Sequence, residues 1–453
     1  MTAGRNESVL IVGAGCFGIS TAYHLLQRGF TNVTVLDRSE QLPAPDAAST
    51  DLNKIVRTSY SDIFYAQLAR DAIQEWKKTD EWGDTYRESG VLVLGPQGGH
   101  PYASKAYEND VALRARTVRF DSAKDRDGSA ALRAVFPDDV ETGSSFEGAA
   151  AYLNLDSGWA SAARGVEVLM ARVTALGGKV VRGKGVAGLL RDPEEGGRTS
   201  GVILADGSSI VARLVVIASG SWTASTFRDL DHLVEKCIST GQTTATIQLT
   251  QEEAARYRNV PVVLDFRTGF YVFPPTDDNI IKVGCHDSGV AHHPPENGTY
   301  RPVSTPRTVS SHGDDGLRVP RSSIRSLRSS LRGVYPELAE KPFAATRLCW
   351  YTESPDSDWM IGFYPSDPGL FVATAGSGHA YKFLPVIGLI VSDALEGRLD
   401  PAIARKFAVD RKPSTLDRFD LSRGFLKPGN LGNEPLCTPE DLLPGIGKND
   451  GGA

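Results

Sequence analysis

The chain has 453 residues, 41% of them hydrophobic, which is enough apolar side chain to fill two domains and excludes disorder as the default. A net charge of -6 offers no general attraction for nucleic acid or anionic lipid, so a small-molecule partner is expected. Five cysteines, odd in number and without a CxxC pair, argue against a disulfide framework and against zinc, and no run reaches the ~18 apolar residues of a membrane span.

Residues 8 to 13 read as a buried parallel strand, and residues 16 to 28 as a helix with apolar spacing at Ile19, Ala22, Tyr23 and Leu26. A second strand, 32 to 37, ends on Asp37. Strand, glycine turn, helix, strand and acid in this order make Gly13, Gly15 and Gly18 a dinucleotide-binding loop. The glycines let the backbone approach a pyrophosphate at the helix N-terminus, and Asp37 can accept hydrogen bonds from ribose hydroxyls. Residues 39 to 54 follow as a loop, and 62 to 78 as an amphipathic helix carrying Phe64, Tyr65, Leu68, Ile73 and Trp76. A short strand at 90 to 95 lies between glycines, and 100 to 150 is polar and irregular apart from a helix near 104 to 115. A helix at 161 to 176 leads through Gly177-Gly178 into Lys179-Val180-Val181. A hairpin around Asp206-Gly207 precedes the apolar strand 214 to 218, which reads as a returning piece of the nucleotide-binding unit.

Alternation over 243 to 249, 262 to 266, 269 to 273 and 280 to 285 predicts an antiparallel sheet in a second domain. Residues 291 to 320, rich in Pro, Ser, Arg and Gly, read either as a lid or as a disordered insert. A helix at 322 to 334, Cys349, a strand at 369 to 373, a second glycine turn at Gly376-Ser377-Gly378 and a helix from about 384 to 395 complete the pattern. A polar tail follows Pro413. A nucleotide signature split between the two ends, with a thiol close to the second turn, points to a flavin more than to a nicotinamide cofactor. His292, His293 and His312 lack ligand spacing, so no metal is expected.

Several stretches recur in a fixed order: the first glycine loop, Asn53-Lys54-Ile55-Val56-Arg57, residues 90 to 95, Ile281-Lys282-Val283-Gly284-Cys285-His286, Cys349-Trp350-Tyr351-Thr352 and Gly376 to Lys382. From about residue 8 to 400 this set resembles the sarcosine oxidase family, which also includes pipecolate and saccharopine oxidases and the fungal fructosyl amine oxidases. The resemblance implies an α/β fold like that of D-amino-acid-oxidase-like flavoproteins. A discontinuous, Rossmann-like FAD-binding domain would comprise 7–88, 155–230 and 340–425. A substrate domain with a mixed or antiparallel sheet would comprise 89–154 and 231–339, and 426–453 would form a C-terminal tail. Contacts to FAD are implied for Gly13, Gly15, Gly18, Asp37, Arg38, Ser49, Lys54, Val186, Gly376, Gly378, His379 and Lys382.

In isolation Cys349 reads as a small buried hydrophobe. The resemblance makes it the thiol that bonds covalently to the flavin 8α-carbon. Lys282 sits in an apolar stretch where a buried ammonium is costly, unless it lies on the outward face of an edge strand. Its counterpart in the family lies over the flavin and stabilises the charge that develops as oxygen is reduced. Arg57 and Lys382, otherwise surface cations, resemble the pair that holds a substrate carboxylate, and Lys54 the basic residue beside the flavin ring. His286 follows Lys282 by four positions, so both point to one face of a strand, and Tyr271 on the preceding strand can reach it. Both resemble residues that orient the substrate amine, although a lone histidine is equally often structural.

Two departures stand out. Fructosyl amine oxidases carry an acid where this chain has His286 and an arginine where it has His379. The expected substrate is therefore a secondary amine bearing a carboxylate, either an N-methyl amino acid or a cyclic imino acid, oxidised to an imine with O2 as acceptor and H2O2 as product. A glycated amino acid, or an amine whose iminium product cyclises in a biosynthetic pathway, is the alternative. Residues 9 to 15 lack the flank of a secretory leader and the chain does not end in Ser-Lys-Leu, so a cytoplasmic monomer is expected.

Overall fold

Val9–Val12, Val33–Leu36 and Leu214–Ile217 are almost wholly apolar, and such strands are stable only where both faces are covered. In the computed structural model, which describes residues 4–96, 100–121, 128–295, 302–413 and 428–445, they lie at the centre of a six-stranded sheet. Val9–Val12 pairs in parallel with Leu214–Ile217 on one side and Val33–Leu36 on the other. Lys179–Val181 extends one edge, Asp367–Thr374 and then antiparallel Met360–Tyr364 the other. The helix Cys16–Gln27 after the first glycine turn packs against Ile387–Leu395 after the second. Ser20 Oγ fastens them, accepting from the Gly388 amide at 2.9 Å and donating to the Leu384 carbonyl at 2.7 Å. The two ends of the chain thus close one core.

A second, mixed sheet carries the remaining alternating segments. Its path among the described residues runs Gly429–Asn430, Val290–Ala291, Ile238–Gln248, Ile280–Cys285, Phe270–Val272, Val262–Asp265, Val91–Gly95, Ala150–Asn154 and Thr117–Asp121. Most neighbours are antiparallel, but Val262–Asp265 runs parallel to Val91–Gly95, and Val290–Ala291 to Gly429–Asn430. Ala345–Glu353 also pairs with Ile238–Gln248, whereas the strands just after it belong to the parallel sheet. A smaller sheet, Asn53–Val56, Gly158–Ser161 and Tyr86–Arg87, stands beside both.

The structure corrects three local expectations. Within the loop read over 39 to 54, Asn53 and Lys54 already belong to the strand Asn53–Val56, held by Gly158–Ser161, a partner about a hundred residues away that no local signal announces. In the stretch read as irregular, Thr117–Asp121 forms an edge strand beside Ala150–Asn154. Phe120 is buried while Val118 is exposed, so the edge strand shows little alternation. The segment read as a lid or disordered insert, 291–320, is described at 291–295 and 302–320, and 302–320 is packed. Val303 and Val319 are buried, and Trp350 Nε1 donates to the Arg307 carbonyl at 2.9 Å. Residues 296–301 lie outside the described residues, as do 414–427 and 446–453 of the tail, whose Leu431 and Cys437 are buried. Among the described residues no helix is long and apolar enough to cross a membrane.

Candidate active site

At the carboxyl ends of the parallel strands a cavity of about 740 Å³ opens. Gly13 adopts φ +109°, and a Cβ there would fall 2.4 Å from the Ala218 carbonyl oxygen. Gly18 does not line the cavity; its Cβ would lie 1.8 Å from the Gly13 carbonyl oxygen, so it sets the distance between turn and helix. The helix begins at Gly15 without a side-chain cap, which leaves its first amides for an anionic ligand. Asp37 lines the cleft and also braces the loop, accepting from the amides of Ala14 and Ser39 at 2.9 Å each. Arg38 stacks 4.3 Å over Trp222, and Ser49 and Val186 complete this wall. Gly376, Gly378 and His379 form the opposite side. An uncapped helix N-terminus, a cradle that a Cβ would fill and an acid at the second strand fit an FAD pyrophosphate and ribose.

A second cavity of about 550 Å³ adjoins the first, and Lys54, Tyr351, Gly378, His379 and Tyr381 line both. Arg57, Tyr271, Lys282, His286 and Lys382 all line it, although they come from four separate stretches of chain. The strand pairing explains part of this: Tyr271 opposes Gly284, so its ring shares a face with Lys282 and His286. Gly378, at φ +68°, fits between Tyr351 and His286; an added Cβ would lie 2.6 Å from one ring and 2.8 Å from the other.

The buried cations are held by buried partners. Lys282, 1% exposed, donates to Asp51 Oδ2 and to the Asn53 carbonyl, both at 2.6 Å. Lys54 donates to the same Asp51 oxygen at 2.6 Å and to Cys349 Sγ at 3.3 Å. Burial pushes the Lys282 ammonium down to about 8, with Asp51 pulling the other way. Burial would raise the Asp51 carboxyl, but Lys282, Lys54 and Arg347 outweigh it and hold it well below the usual carboxylate range. For Lys54, Asp51 and Cys349 outweigh burial and raise it.

Tyr60 joins the other two cations. Its hydroxyl accepts from Lys382 Nζ at 2.8 Å, and Arg57 lies 4.9 Å from its ring centroid. The same hydroxyl lies 3.1 Å from His379 Nδ1. Because a carbonyl can only accept, His379 Nε2 donates to the Ser357 carbonyl, 3.0 Å away. Arg57 Nη1 donates to the Ser59 carbonyl, and near it the carboxyl of Asp110, 0% exposed, is pushed up by burial.

Cys349 is 0% exposed and lines neither cavity, but it shares a strand face with Tyr351, which lines both. Asp51 and Tyr60 went unrecognised in the sequence, and Tyr351 was noted only as part of the Cys349 stretch. The signal for Asp51 was present: a lysine in an apolar strand needs a carboxylate, and Asp51 stands three residues before Lys54. Tyr60 carried no comparable signal. Among the described residues no group of three His, Cys, Asp or Glu could hold a metal ion.

A glycine-built cleft joined to a cation-lined cavity defines a flavin-dependent oxidoreductase. The chain belongs to the FAD-dependent oxidoreductase family DAO, whose model matches residues 8–394. It is 29% identical over 407 residues to an L-saccharopine oxidase of Schizosaccharomyces pombe, covering 87% of this chain and 91% of that one. It is 28% identical over 452 residues to the amino acid oxidase imqH of Aspergillus flavus, covering 84% and 91%. Its fold is similar to a modified fructosyl peptide oxidase from Aspergillus nidulans, with a TM-score of 0.83, 27% identity and coverage of 95% and 99%.

Proposed function

We propose that this enzyme oxidises a secondary amine bearing a carboxylate to the imine, with dioxygen as final acceptor and hydrogen peroxide as the second product. The observation that carries this reading is that a guanidinium fork and an ammonium, Arg57 and Lys382, both line the second cavity, which meets the cofactor cleft, and both contact Tyr60. FAD, when bound, supplies the two-electron acceptor for the C–H hydride and passes both electrons to dioxygen. Arg57 and Lys382 would bind the substrate carboxylate, and the Tyr60–His379–Ser357 chain would hold the ammonium in place. Tyr271 and His286 would bound the amine, which needs little proton transfer if it binds neutral. Lys282 would place a fixed positive charge where oxygen is reduced, with Asp51 and the Asn53 carbonyl orienting it.

Both His379 ring nitrogens already have partners at 3.1 and 3.0 Å, so the ring is poorly placed to grip a sugar adduct as an arginine would. This favours an N-alkyl or cyclic amino acid over a glycated one. Cys349 is proposed as the point of covalent flavin attachment. Its place two residues from Tyr351, which lines both cavities, and its 3.3 Å contact with Lys54 Nζ support this. Colour that stays with acid-precipitated protein is the expected result. The enzyme is proposed to act as a cytosolic monomer, in keeping with its five free cysteines.

Anaerobic mixing with N-methyl amino acids and pipecolate tests the function. Carboxylate-bearing amines are expected to bleach the flavin and their methyl esters to fail. Equal bleaching by acid and ester would remove the clamp, and no bleaching by any secondary amine would remove the reaction.

A further inference from the structure

Between the strand Asn53–Val56 and the helix Ile63–Trp76, whose first turn Asp62 caps, the chain is neither helix nor strand. Arg57, Thr58, Ser59 and Tyr60 are nevertheless all buried there. Such a segment has no ladder to satisfy its polar groups, so other side chains must do it. Here they come from the helix Pro101–Ala112 and the strand Ala150–Asn154. Asn109 Nδ2 donates to the carbonyls of Tyr60 and Ser61, both at 2.9 Å. Because carbonyls only accept, these two bonds fix which way the amide points. The Asp110 carboxyl accepts from Ser59 Oγ at 3.3 Å, Asn154 Nδ2 at 2.9 Å and Tyr152 Oη at 3.4 Å. Asn154 Nδ2 also donates to Thr58 Oγ1 at 2.9 Å, so each residue from 58 to 61 is held from behind.

The segment so held carries the carboxylate clamp. Arg57 leads into it, with its guanidinium 4.9 Å from the Tyr60 ring and 5.6 Å from that of Phe266, and donates to the Ser59 carbonyl. Tyr60 supplies the hydroxyl that accepts from Lys382. The helix that carries Asn109 and Asp110 also sends Tyr102 to the cavity wall, with its hydroxyl 3.5 Å from the same Ser59 carbonyl. Asn109 and Asp110 themselves are 5% and 0% exposed and line neither cavity, so they act on a ligand only through what they hold.

We propose that Asn109 and Asp110 are positioning residues for substrate binding, which keep Arg57 and Tyr60 where the substrate carboxylate meets them. This rests on the amine-oxidase reading above. Lys282 is fixed separately, by Asp51 and the Asn53 carbonyl, so the oxygen step lies outside their reach.

Acetate, a minimal probe of the clamp, would be titrated into the oxidised holoenzyme and followed by the visible flavin spectrum. Asn109→Ala should raise its dissociation constant roughly tenfold and KM for N-methyl amino acids similarly, with kcat and reoxidation by air nearly unchanged. Asp110→Leu should weaken acetate as well. Asp110→Asn keeps an acceptor for Ser59 and Asn154 and alters only the Oδ1 position, which has no partner among the described residues, so it should recover most of that loss. Added to Arg57→Met, Asn109→Ala should weaken acetate by no more than about twofold, because the main group it positions is gone. If either variant does not fold, Ser59→Ala removes only the hydroxyl that faces Asp110 and should raise the acetate constant about threefold. Unchanged acetate affinity in these variants, equal losses with and without Arg57, or reoxidation slowed as much as binding is weakened overturns the assignment. If no amine is oxidised but acetate follows this pattern, the reaction falls and the positioning stands; if amines are oxidised and acetate is indifferent to the variants, the positioning falls and the reaction stands.

Discussion

The cofactor cleft and the second cavity share five lining residues but are made of different material. In the cleft, recognition is by backbone: glycines without side chains, an uncapped helix start and one acid that braces the loop. In the second cavity, recognition is by charged side chains, three of them almost wholly buried: Lys282 and Lys382 are fixed by Asp51 and Tyr60 from distant parts of the chain, and Arg57 by the nearby Ser59 carbonyl. A backbone site tolerates no added volume, whereas a site of buried charges tolerates no missing partner. The distinction predicts different failures on the two sides.

The largest effect is expected from Gly18→Ala. A Cβ 1.8 Å from the Gly13 carbonyl oxygen cannot be accommodated without moving the turn, so the purified protein should be colourless. Yellow protein would show that the cleft is more forgiving than the comparison claims. Asp51→Asn leaves two ammonium groups 2.6 Å from an uncharged oxygen or nitrogen and should destabilise the fold by about 3–5 kcal/mol in denaturant titration. Adding Lys54→Met should recover part of that loss, because one of the two like charges is gone.

Lys282→Met should slow reoxidation of reduced enzyme by air roughly 10²-fold while leaving reduction by substrate nearly unchanged. In the unaltered enzyme the same step should weaken with alkali. Burial has lowered Lys282 to about 8, so its ammonium is present below that pH and is lost as pH rises through it. Stopped-flow reoxidation from pH 6 to 10 reads this directly, and a flat profile would detach Lys282 from the oxygen step. The smallest effect belongs to Tyr60→Phe. Removing the hydroxyl between Lys382 and His379 takes away one charge-assisted bond, and kcat/KM should fall roughly tenfold, mainly through KM.

Much of this was visible before any coordinates. The strand, turn, helix and acid around Gly13 to Asp37 are contiguous, so periodicity and spacing identify them without help. Lys282 also announced itself, because an ammonium in an apolar strand is costly. That a carboxylate must neutralise it could be inferred, but not which one: Asp51 lies 231 residues away in sequence and reaches Lys282 only after Asn53–Val56 pairs with Gly158–Ser161 and the large sheet is in place. The same holds for Ala345–Glu353, whose apolar character fits either sheet and whose pairing with Ile238–Gln248 sets Cys349 beside Lys54.

Local order therefore determined the nucleotide-binding core, because its signal is carried by neighbours along the chain. Tertiary structure alone decided the second cavity: which acid neutralises which lysine, that Tyr60 bridges Lys382 and His379, and that Phe266 stands beside Arg57. Those relations are between side chains brought together by sheet pairing, and an ion pair or ring contact leaves no periodic trace in either strand that supplies it.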